Sequence, residues 1–306
     1  MENYTTSKVF YMESFIFKAE EKLYIFAFLL IIYFTGLVIN IIIITVIYID
    51  RNLHTPMYLF FCNLSIVDIC FASVPIPKLL YMLLTNNNTV SFTKCFTQFC
   101  FYYLFGTTED ALLFIMAYDR YVAICKPLYY HQMLGRKHCW ILIAASWVSA
   151  TVNSLIITKA ASAMSFCHSK VIHHLFCDVK ALTKIACSGT ERFFMMMYFE
   201  LLFFGLCPFL CSVTSYLKII NIILSINSKN GRKKVFSTCS SHLIVMLLFY
   251  ANGASVILIP RSQYSELLEQ SCTVIYTAVT PMLNPLIYTL RNTEVKNALM
   301  RLVKSK

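Results

Sequence analysis

The sequence contains few charged residues and few of the residues that break regular structure. Asp, Glu, Lys and Arg make up 13% of its 306 residues, and there are only 7 glycines and 8 prolines. Hydrophobic residues make up 58%. A soluble domain with so little charge could not bury that much apolar surface, so the composition excludes an ordinary soluble fold. No repeat and no low-complexity tract is found.

Several functional patterns are also missing. No nucleophile with a neighbouring base and no metal cluster stands inside the apolar runs, which argues against an enzyme. The chain does not divide into two similar halves, as transporters usually do. No basic stripe interleaved with aromatics indicates nucleic-acid binding. The first 22 residues lack an apolar core of signal-peptide length, so we expect no cleaved targeting sequence.

The sequence does contain a series of long apolar runs. An α-helix needs about 20 apolar residues to cross a bilayer, and each of these runs is about that long or longer. In order they are Leu23 to Ile49, Met57 to Leu84, Phe96 to Ile124, Cys139 to Ile157, Phe193 to Ile223, Val235 to Ile259 and Ser271 to Leu290. The last run carries two prolines, which a spanning helix tolerates where its neighbours satisfy the freed carbonyls. The sequence therefore predicts an all-α membrane protein, a seven-transmembrane helix bundle.

Basic residues fall mostly on one side of these runs, which predicts that side to be cytoplasmic. Its connections include Lys126, Arg136, Lys137 and Lys229, and the N-terminus then lies outside the cell. The net charge of +11 thus reflects topology and attraction to anionic inner-leaflet lipid. We expect an extracellular tail over 1–22, the bundle over 23–290 and a cytoplasmic tail with a short amphipathic helix over 291–306. Asn3 begins a glycosylation sequon on the outer side, and the sequon at Asn87 is weaker because it lies close to the membrane.

Four of the thirteen cysteines, Cys95, Cys167, Cys177 and Cys187, lie outside the runs on the predicted extracellular side. Disulfides are favoured in that oxidising compartment, and four cysteines allow three connectivities. A zinc site with the nearby histidines, His168, His173 and His174, is the competing hypothesis. It lacks the usual ligand spacing, so we expect no metal site.

Five motifs together resemble the vertebrate odorant receptors, a family of rhodopsin-like G-protein-coupled receptors. They are Leu53–Tyr58 (LHTPMY), Met116–Cys125 (MAYDRYVAIC), Ser215–Tyr216 (SY), Lys234–Leu243 (KVFSTCSSHL) and Pro281–Tyr288 (PMLNPLIY). The chain departs from the family pattern at Ile39-Asn40, where Gly-Asn is usual, and at Tyr250-Ala251, where Tyr-Gly is usual. Neither departure removes a charged or hydrogen-bonding group.

The resemblance implies a plasma-membrane receptor that binds a small odorant and activates a stimulatory heterotrimeric G protein to raise cyclic AMP. It implies disulfides Cys95–Cys177 and Cys167–Cys187. The residues expected to act in G-protein coupling and switching are Asp119, Arg120, Tyr121, Tyr216, His242, Asn284, Pro285 and Tyr288. Arg120 could instead be an interfacial base, and His242 a satisfied polar residue between helices. A receptor of the same fold for amines or peptides is the alternative function.

Intramembrane acids are costly and point to function, and the candidates are Asp68, Glu109, Asp110 and Glu200. With Asn284, the acids Asp68 and Glu109 resemble the sodium pocket of this receptor class. Two close carboxyls sharing a proton are the alternative. No other cofactor is expected.

The resemblance also places a ligand pocket in the outer half of the bundle. The expected lining residues are Tyr102, Tyr103, Gly106, Thr107, Val179, Glu200, Phe204, Tyr250, Gly253, Ala254, Ile257, Tyr276 and Thr277. Most are apolar or aromatic, as suits a small volatile. Glu200 departs from the family, and it either pairs inside the protein, with Lys159 as a candidate, or is protonated, or binds an amine or hydrogen-bond donor on the ligand.

Overall fold

The computed structural model describes residues 9–13, 19–167, 170–225, 228–258, 263–291 and 293–304, and this part of the chain is mostly helical. Its α-helices are α1 (Ala19–Ile49), α2 (Pro56–Ser73), α3 (Ile76–Thr85), α4 (Phe92–Cys125), α5 (Tyr130–Met133), α6 (Arg136–Ser162), α7 (Val179–Ile185), α8 (Thr190–Glu200), α9 (Cys207–Ser225), α10 (Lys229–Leu258), α11 (Gln263–Val274), α12 (Thr280–Arg291) and α13 (Thr293–Lys304). The short strands are β1 (Val9–Met12), β2 (Thr89–Ser91), β3 (Ser165–Phe166), β4 (Val171–Ile172) and β5 (Ala186–Ser188).

The helices form seven spans that match the seven apolar runs. The spans are, in order, α1, α2 with α3, α4, α6, α8 with α9, α10, and α11 with α12. In the described residues the first five spans are long and apolar enough to cross a membrane, and the sixth contributes the shorter apolar segment Cys239–Ala254. The seventh span is not among these, because its polar residues lower its mean hydropathy. We identify it as a span from its position in the bundle.

Three spans depart from regular α-helix, each beside a proline. The second span is interrupted between Ser73 and Ile76, where Pro75 has no N–H to bond the carbonyl of Phe71; the Val74 N–H takes that carbonyl instead, at 3.3 Å. The fifth span widens into a π-helical turn at Leu201–Leu206, before Pro208, and the seventh at Ile275–Val279, before Pro281. Such π-turns absorb the lost hydrogen bond, and they often lie at functional sites.

The largest core cluster joins the second, third and seventh spans in the half of the bundle nearer α13. Phe60, Phe61 and Leu112 are fully buried there, and the ring of Tyr288 packs on Phe61 with 4.3 Å between centroids. Large apolar side chains elsewhere point outward, among them Ile31, 66% exposed, and Phe203, 59% exposed. Outward apolar side chains on long helices are what a lipid-facing surface requires.

Helix α13 is held against the end of the first two spans by polar contacts and by buried apolar side chains. Val295 and Ala298 are fully buried, and Tyr58 donates a hydrogen bond of 2.7 Å to Glu294. Arg301 pairs with Asp50 at 2.5 Å. This hydrogen bond from Arg301, followed by that from the Asn52 backbone N–H, lowers the pKa of Asp50, so the pair stays ionised at neutral pH.

The opposite end of the bundle is covered by two small sheets. Strand β1 lies between β2, to which it is antiparallel, and β4, to which it is parallel, with Val9 opposite Ser91 and Tyr11 opposite Val171. Strands β3 and β5 form an antiparallel pair. The segment before the first span is thereby fixed to the loops that carry the four cysteines.

Both disulfides implied by the resemblance are present in the structure. Cys95 at the start of the third span bonds to Cys177, and Cys167 bonds to Cys187. The first bond joins residues 82 apart in sequence and the second joins residues 20 apart. The long loop between the fourth and fifth spans is therefore tied to the bundle by the first disulfide and closed on itself by the second.

We expect Cys177→Ser to abolish surface expression and Cys167→Ser to reduce it less. Both bonds should contribute about 2–4 kcal/mol by restricting the unfolded chain, with the longer loop gaining more. Cys207→Ser, which removes an exposed free thiol, is the control. Surface labelling measures expression, and tryptic mapping without reduction should recover both linked peptide pairs. Recovery of Cys95 as a free thiol in the wild-type chain would contradict the assignment.

Candidate ligand cavity and switch site

A cavity of about 440 Å³ lies between the third, fifth, sixth and seventh spans. Its lining residues are Phe71, Tyr102, Tyr103, Gly106, Thr107, Asp110, Glu200, Leu201, Phe204, Gly205, Leu206, Phe209, Phe249, Tyr250, Gly253, Ala254 and Tyr276. Both π-turns adjoin it, because Leu201 begins one and Tyr276 lies in the other. A largely apolar concave site with a few polar groups is typical of small-molecule binding.

Ten of the thirteen residues predicted for the pocket line this cavity, and two others, Val179 and Thr277, do not. Val179 begins α7 and packs against a core cluster that includes Cys95 and Cys177. Thr277 is buried, and its hydroxyl bonds the backbone carbonyl of Thr273 at 2.8 Å, so it faces its own helix. The side chain of Ile257 lies outside the described part of the structure, as does Asn3 with its sequon.

Aromatic rings in contact with one another form the wall on the side of the second, third and seventh spans. Phe71 stacks on Tyr102 at 5.1 Å between centroids and meets the edge of Tyr276 at 5.3 Å. Tyr276 in turn contacts Phe249 at 5.8 Å. On the sixth span a Cβ added at Gly253 would meet no atom within 4 Å, so this glycine leaves open volume. The wall thus combines rigid rings with space for a ligand.

Two carboxyl groups reach this apolar cavity from different helices. Asp110 accepts a short hydrogen bond from the Tyr250 hydroxyl, which links the third and sixth spans across the cavity. Glu200, at the end of α8, has no ion pair or hydrogen bond with another described residue. Lys159, its predicted partner, is exposed on the fourth span and does not pair with it. In a site with so few polar groups, Glu200 is available to a ligand.

Asp110 was recognised from the sequence as an intramembrane acid but was not assigned to the pocket. It lies three residues after Thr107 and four after Gly106, spacings that place all three on one helix face. That spacing was the signal that could have found it. The other missed residues, Phe71, Leu201, Gly205, Leu206, Phe209 and Phe249, are apolar or Gly and carry no comparable signal.

A second polar cluster lies deeper, where the second, third and seventh spans meet. Asn284 donates hydrogen bonds to Asp68 at 3.0 Å and to Glu109 at 3.2 Å, and all three side chains are buried. The second oxygen of each carboxyl group and the Asn284 carbonyl oxygen have no hydrogen-bond partner. These unpartnered oxygens are the donor type that a hard cation such as sodium binds.

At the α13 end of the third span, Arg120 pairs with Asp119 at 2.9 Å. Asp119 is fully buried and also accepts a hydrogen bond of 2.8 Å from Tyr130 in α5. Burial and the neighbouring Asp119 raise the pKa of the Tyr130 hydroxyl, which therefore remains a neutral donor. Asp119 thus pairs with Arg120 on the third span and also accepts a hydrogen bond from α5.

The predicted switch residues of the fifth, sixth and seventh spans are buried near this ion pair. Tyr216 and His242 share a hydrogen bond of 2.5 Å, with their rings nearly parallel. The Tyr288 hydroxyl, by contrast, is buried without a partner. Pro285, one residue after Asn284, is an internal proline of α12. Tyr121 of the third span packs against the cluster that contains Tyr216.

Comparison with known proteins gives a consistent result along nearly the whole chain. The family model described as olfactory receptor matches residues 26–306. Olfactory receptor 1E2 of Gorilla gorilla gorilla is 42% identical over 302 residues, covering 99% of this chain and 96% of the relative. Olfactory receptor 1L4 of Homo sapiens is 44% identical over 278 residues, covering 91% and 89%. Olfactory receptor 1 of Rattus norvegicus is 43% identical over 277 residues, covering 90% and 88%.

The fold is also similar to that of squid rhodopsin. That crystal structure aligns with a TM-score of 0.70 at 15% sequence identity and covers 93% of this chain and 86% of the rhodopsin chain. At that identity the likeness concerns the fold alone, and it supports the seven-helix membrane bundle. The family match and the full-length relatives decide the classification: the chain belongs to the olfactory receptor family, whose members are multi-pass plasma-membrane receptors and not enzymes.

Proposed function

We propose that the chain binds small organic ligands in the cavity and activates a stimulatory heterotrimeric G protein, which raises cyclic AMP. The observation that carries this proposal is the hydrogen bond between Tyr250 and Asp110. It places a residue of the sixth span at the wall of the cavity, while the same helix contacts Tyr216 through His242. One helix thereby connects the ligand site with the neighbourhood of Arg120.

Helix α10 supplies the mechanical coupling. Tyr250 and His242 are eight residues apart, about 12 Å along a continuous helix. A ligand that competes with Tyr250 for Asp110 favours a displaced sixth span, and the displacement breaks the Tyr216–His242 bond. Arg120, paired with Asp119 in the arrangement described above, is then released toward the G protein. A ligand shifts this equilibrium only by its difference in affinity for the two states.

We also propose that Asp68, Glu109 and Asn284 bind a sodium ion, which stabilises the resting state. Two buried carboxylates would repel one another without a cation or a shared proton. Their unpartnered oxygens and the Asn284 carbonyl oxygen offer the ligands. A helix movement that separates the second, third and seventh spans would disassemble the site, so sodium and activating ligand are expected to oppose each other.

We assign the end with the sheets and disulfides to the extracellular side and the end with α13 to the cytoplasm. The paired cysteines belong in an oxidising compartment, and the basic loops on the cytoplasmic side. Residues 1–22 then form the outer tail, 23–290 the bundle and 291–306 the inner tail. Helix α13 lies on the membrane surface, with Val295 and Ala298 turned toward the bundle.

The chemistry of the cavity favours ligands that carry an amine or a strong hydrogen-bond donor beside an apolar body. Glu200 offers an unpaired carboxyl group, and the aromatic rings around it suit a cation as well as a hydrocarbon. A receptor of this fold for non-volatile amines or peptides is the alternative. Dose responses of cyclic AMP to volatile amines, alcohols and peptides distinguish the two.

For the switch, Arg120→Ala should leave the receptor folded and at the cell surface but unable to raise cyclic AMP. The side chain pairs only with its neighbour Asp119 among the described ion pairs, so the bundle does not depend on it. Surface labelling and a cyclic AMP assay are read in the same cells, with Arg301→Ala, at the α13 contact, as the basic-residue control expected to keep much of the signal. Normal signalling by Arg120→Ala would refute the role.

For the ligand contact, Glu200→Gln should weaken responses to primary amines by about 30-fold or more, because removing one partner of a buried charge pair costs ~2–5 kcal/mol. Responses to alcohols of the same chain length should change little. Lys159→Gln is the matched control for an internal pairing. The measurement is the half-maximal concentration of each ligand in the variant and in the wild type. Unchanged responses to every active ligand would show that Glu200 does not contact the ligand.

For the ion, replacing choline with sodium should raise the melting temperature of the purified wild-type receptor by several degrees, since binding to the native state stabilises it. Asp68→Asn should abolish that increase, whereas Asp50→Asn, at the α13 contact, should retain it. If the carboxyls instead share a proton, the melting temperature will respond to pH and not to sodium.

A further inference from the structure

Part of the cavity wall is formed by residues that also belong to the outer surface of the bundle. Leu201 and Leu206, at the two ends of the π-turn in the fifth span, line the cavity, and they are 44% and 46% exposed. Phe71 and Asp110 also line it, yet they are 0% and 4% exposed. Facing the cavity therefore exposes little of a side chain, so much of the exposed area of the two leucines lies on the outside of the bundle.

The outer surface beside these leucines faces lipid. Leu202 and Phe203 lie in the same π-turn but not in the cavity lining, and they are 48% and 59% exposed, as a lipid-facing surface requires. Leu201 follows the start of α8 at Thr190 by eleven residues, about 16 Å along the helix, which places it at the depth of the hydrocarbon core. A single layer of side chains thus separates the cavity from the outer leaflet.

This layer of side chains is thin at the π-turn. Gly205 contributes no side chain, and apart from the backbone of its own helix a Cβ added there would meet only Cδ1 of Leu201 within 4 Å, at 3.5 Å. Exposed side chains change rotamer within nanoseconds. Rotation of Leu201 and Leu206 can therefore widen an opening at this point without a movement of the helix.

The extracellular side of the cavity is covered by packed and cross-linked loop residues. Phe176 is 1% exposed and packs on Tyr102, a lining residue, with 4.7 Å between ring centroids. The next residue, Cys177, is bonded to the third span by its disulfide, and Lys180 pairs with Glu269 of the seventh span at 3.3 Å. Over the described loops, a path from the water into the cavity would have to displace buried side chains and break these links.

The cavity is closed toward the α13 end as well. Phe209, three residues after Leu206, meets the edge of the Tyr250 ring with 4.8 Å between centroids. Tyr250 in turn bonds Asp110, so side chains of the third, fifth and sixth spans meet below the cavity. The lipid-facing side at the π-turn is the part of the described wall that is least covered.

We infer that ligands enter the cavity from the outer leaflet of the membrane, through a lateral opening beside the π-turn at Leu201–Leu206. The inference rests on the proposed binding of ligands in the cavity, and it names the class of ligand that can reach it. Such ligands dissolve in lipid and are uncharged while they pass the leucines, since a charge is costly at that depth. A primary amine therefore enters as the free base, and the membrane concentrates apolar ligands before they bind.

The reactivity of a thiol placed inside the cavity tests this route. The purified full-length receptor carrying Thr107→Cys, in phosphatidylcholine nanodiscs, is treated with benzyl methanethiosulfonate, which dissolves in lipid, or with the charged trimethylammonium-ethyl reagent, which does not. Mass spectrometry of the peptide that contains position 107 gives each rate, which is divided by the rate of the same reagent with free cysteine in water. Both reagents attack the same thiolate, so its ionisation cancels from the ratio. We expect the benzyl reagent to be about tenfold faster or more, because it alone is soluble in the hydrocarbon core.

Adding Leu206→Trp should slow the benzyl reaction several-fold by narrowing the opening and should leave the rate of the charged reagent unchanged. Leu202→Trp is the matched control, because Leu202 lies in the same turn and is similarly exposed but does not line the cavity. Leu201→Trp serves as the second variant if Leu206→Trp does not fold.

Equal normalised rates for the two reagents would overturn the route, as would a benzyl rate that neither Leu206→Trp nor Leu201→Trp lowers. A fall in both rates together would also overturn it, because the tryptophan would then be filling the cavity or blocking a path from water. Neither a ligand nor the G protein takes part in the reaction. A receptor that fails the cyclic AMP assay yet shows the predicted rates would therefore contradict the proposed function and leave the lateral opening supported.

Discussion

The hydrocarbon core of the membrane offers no water to buried polar groups, so such groups within the spans must find partners in the protein. The bundle meets this constraint with a few contacts between helices. Asn284 bridges Asp68 and Glu109, Tyr250 bonds Asp110, and Tyr216 bonds His242. Each contact crosses from one span to another, so the polar groups that are costly to bury are also those that fix the relative positions of the helices.

The same contacts explain how a ligand in the outer half could be detected at the other end. Apolar contacts carry no directional preference, whereas a hydrogen bond weakens steeply when its donor and acceptor move out of line. Tyr250 and His242 place two such bonds on one helix. Buried oxygens of Asp68, Glu109 and Tyr288 have no hydrogen-bond partner in this arrangement of the helices.

Much of this structure could be predicted from the sequence, because a helix that crosses the bilayer needs a long run of apolar residues. The apolar runs located all seven helices, and the motif around Asp119 and Arg120 located the ion pair. The effect of each proline could not be predicted. A proline indicates a perturbed helix, but the sequence does not show whether the helix breaks, as at Pro75, or widens into a π-turn, as before Pro208. The direction of some side chains could not be predicted either. Thr277 was predicted to line the pocket but its hydroxyl bonds its own helix, whereas Asp110 was not predicted to line the cavity and does.

We propose that ligand binding in the cavity moves the sixth span away from the third at the cytoplasmic end. The distance between nitroxide labels at Cys125 and at Lys234→Cys, with the other free cysteines replaced, measures this movement by electron double resonance. A primary amine that raises cyclic AMP should lengthen the distance by several ångströms, and the same amine should leave it unchanged in Glu200→Gln. An unchanged distance in a receptor that still signals would show that activation does not move the sixth span.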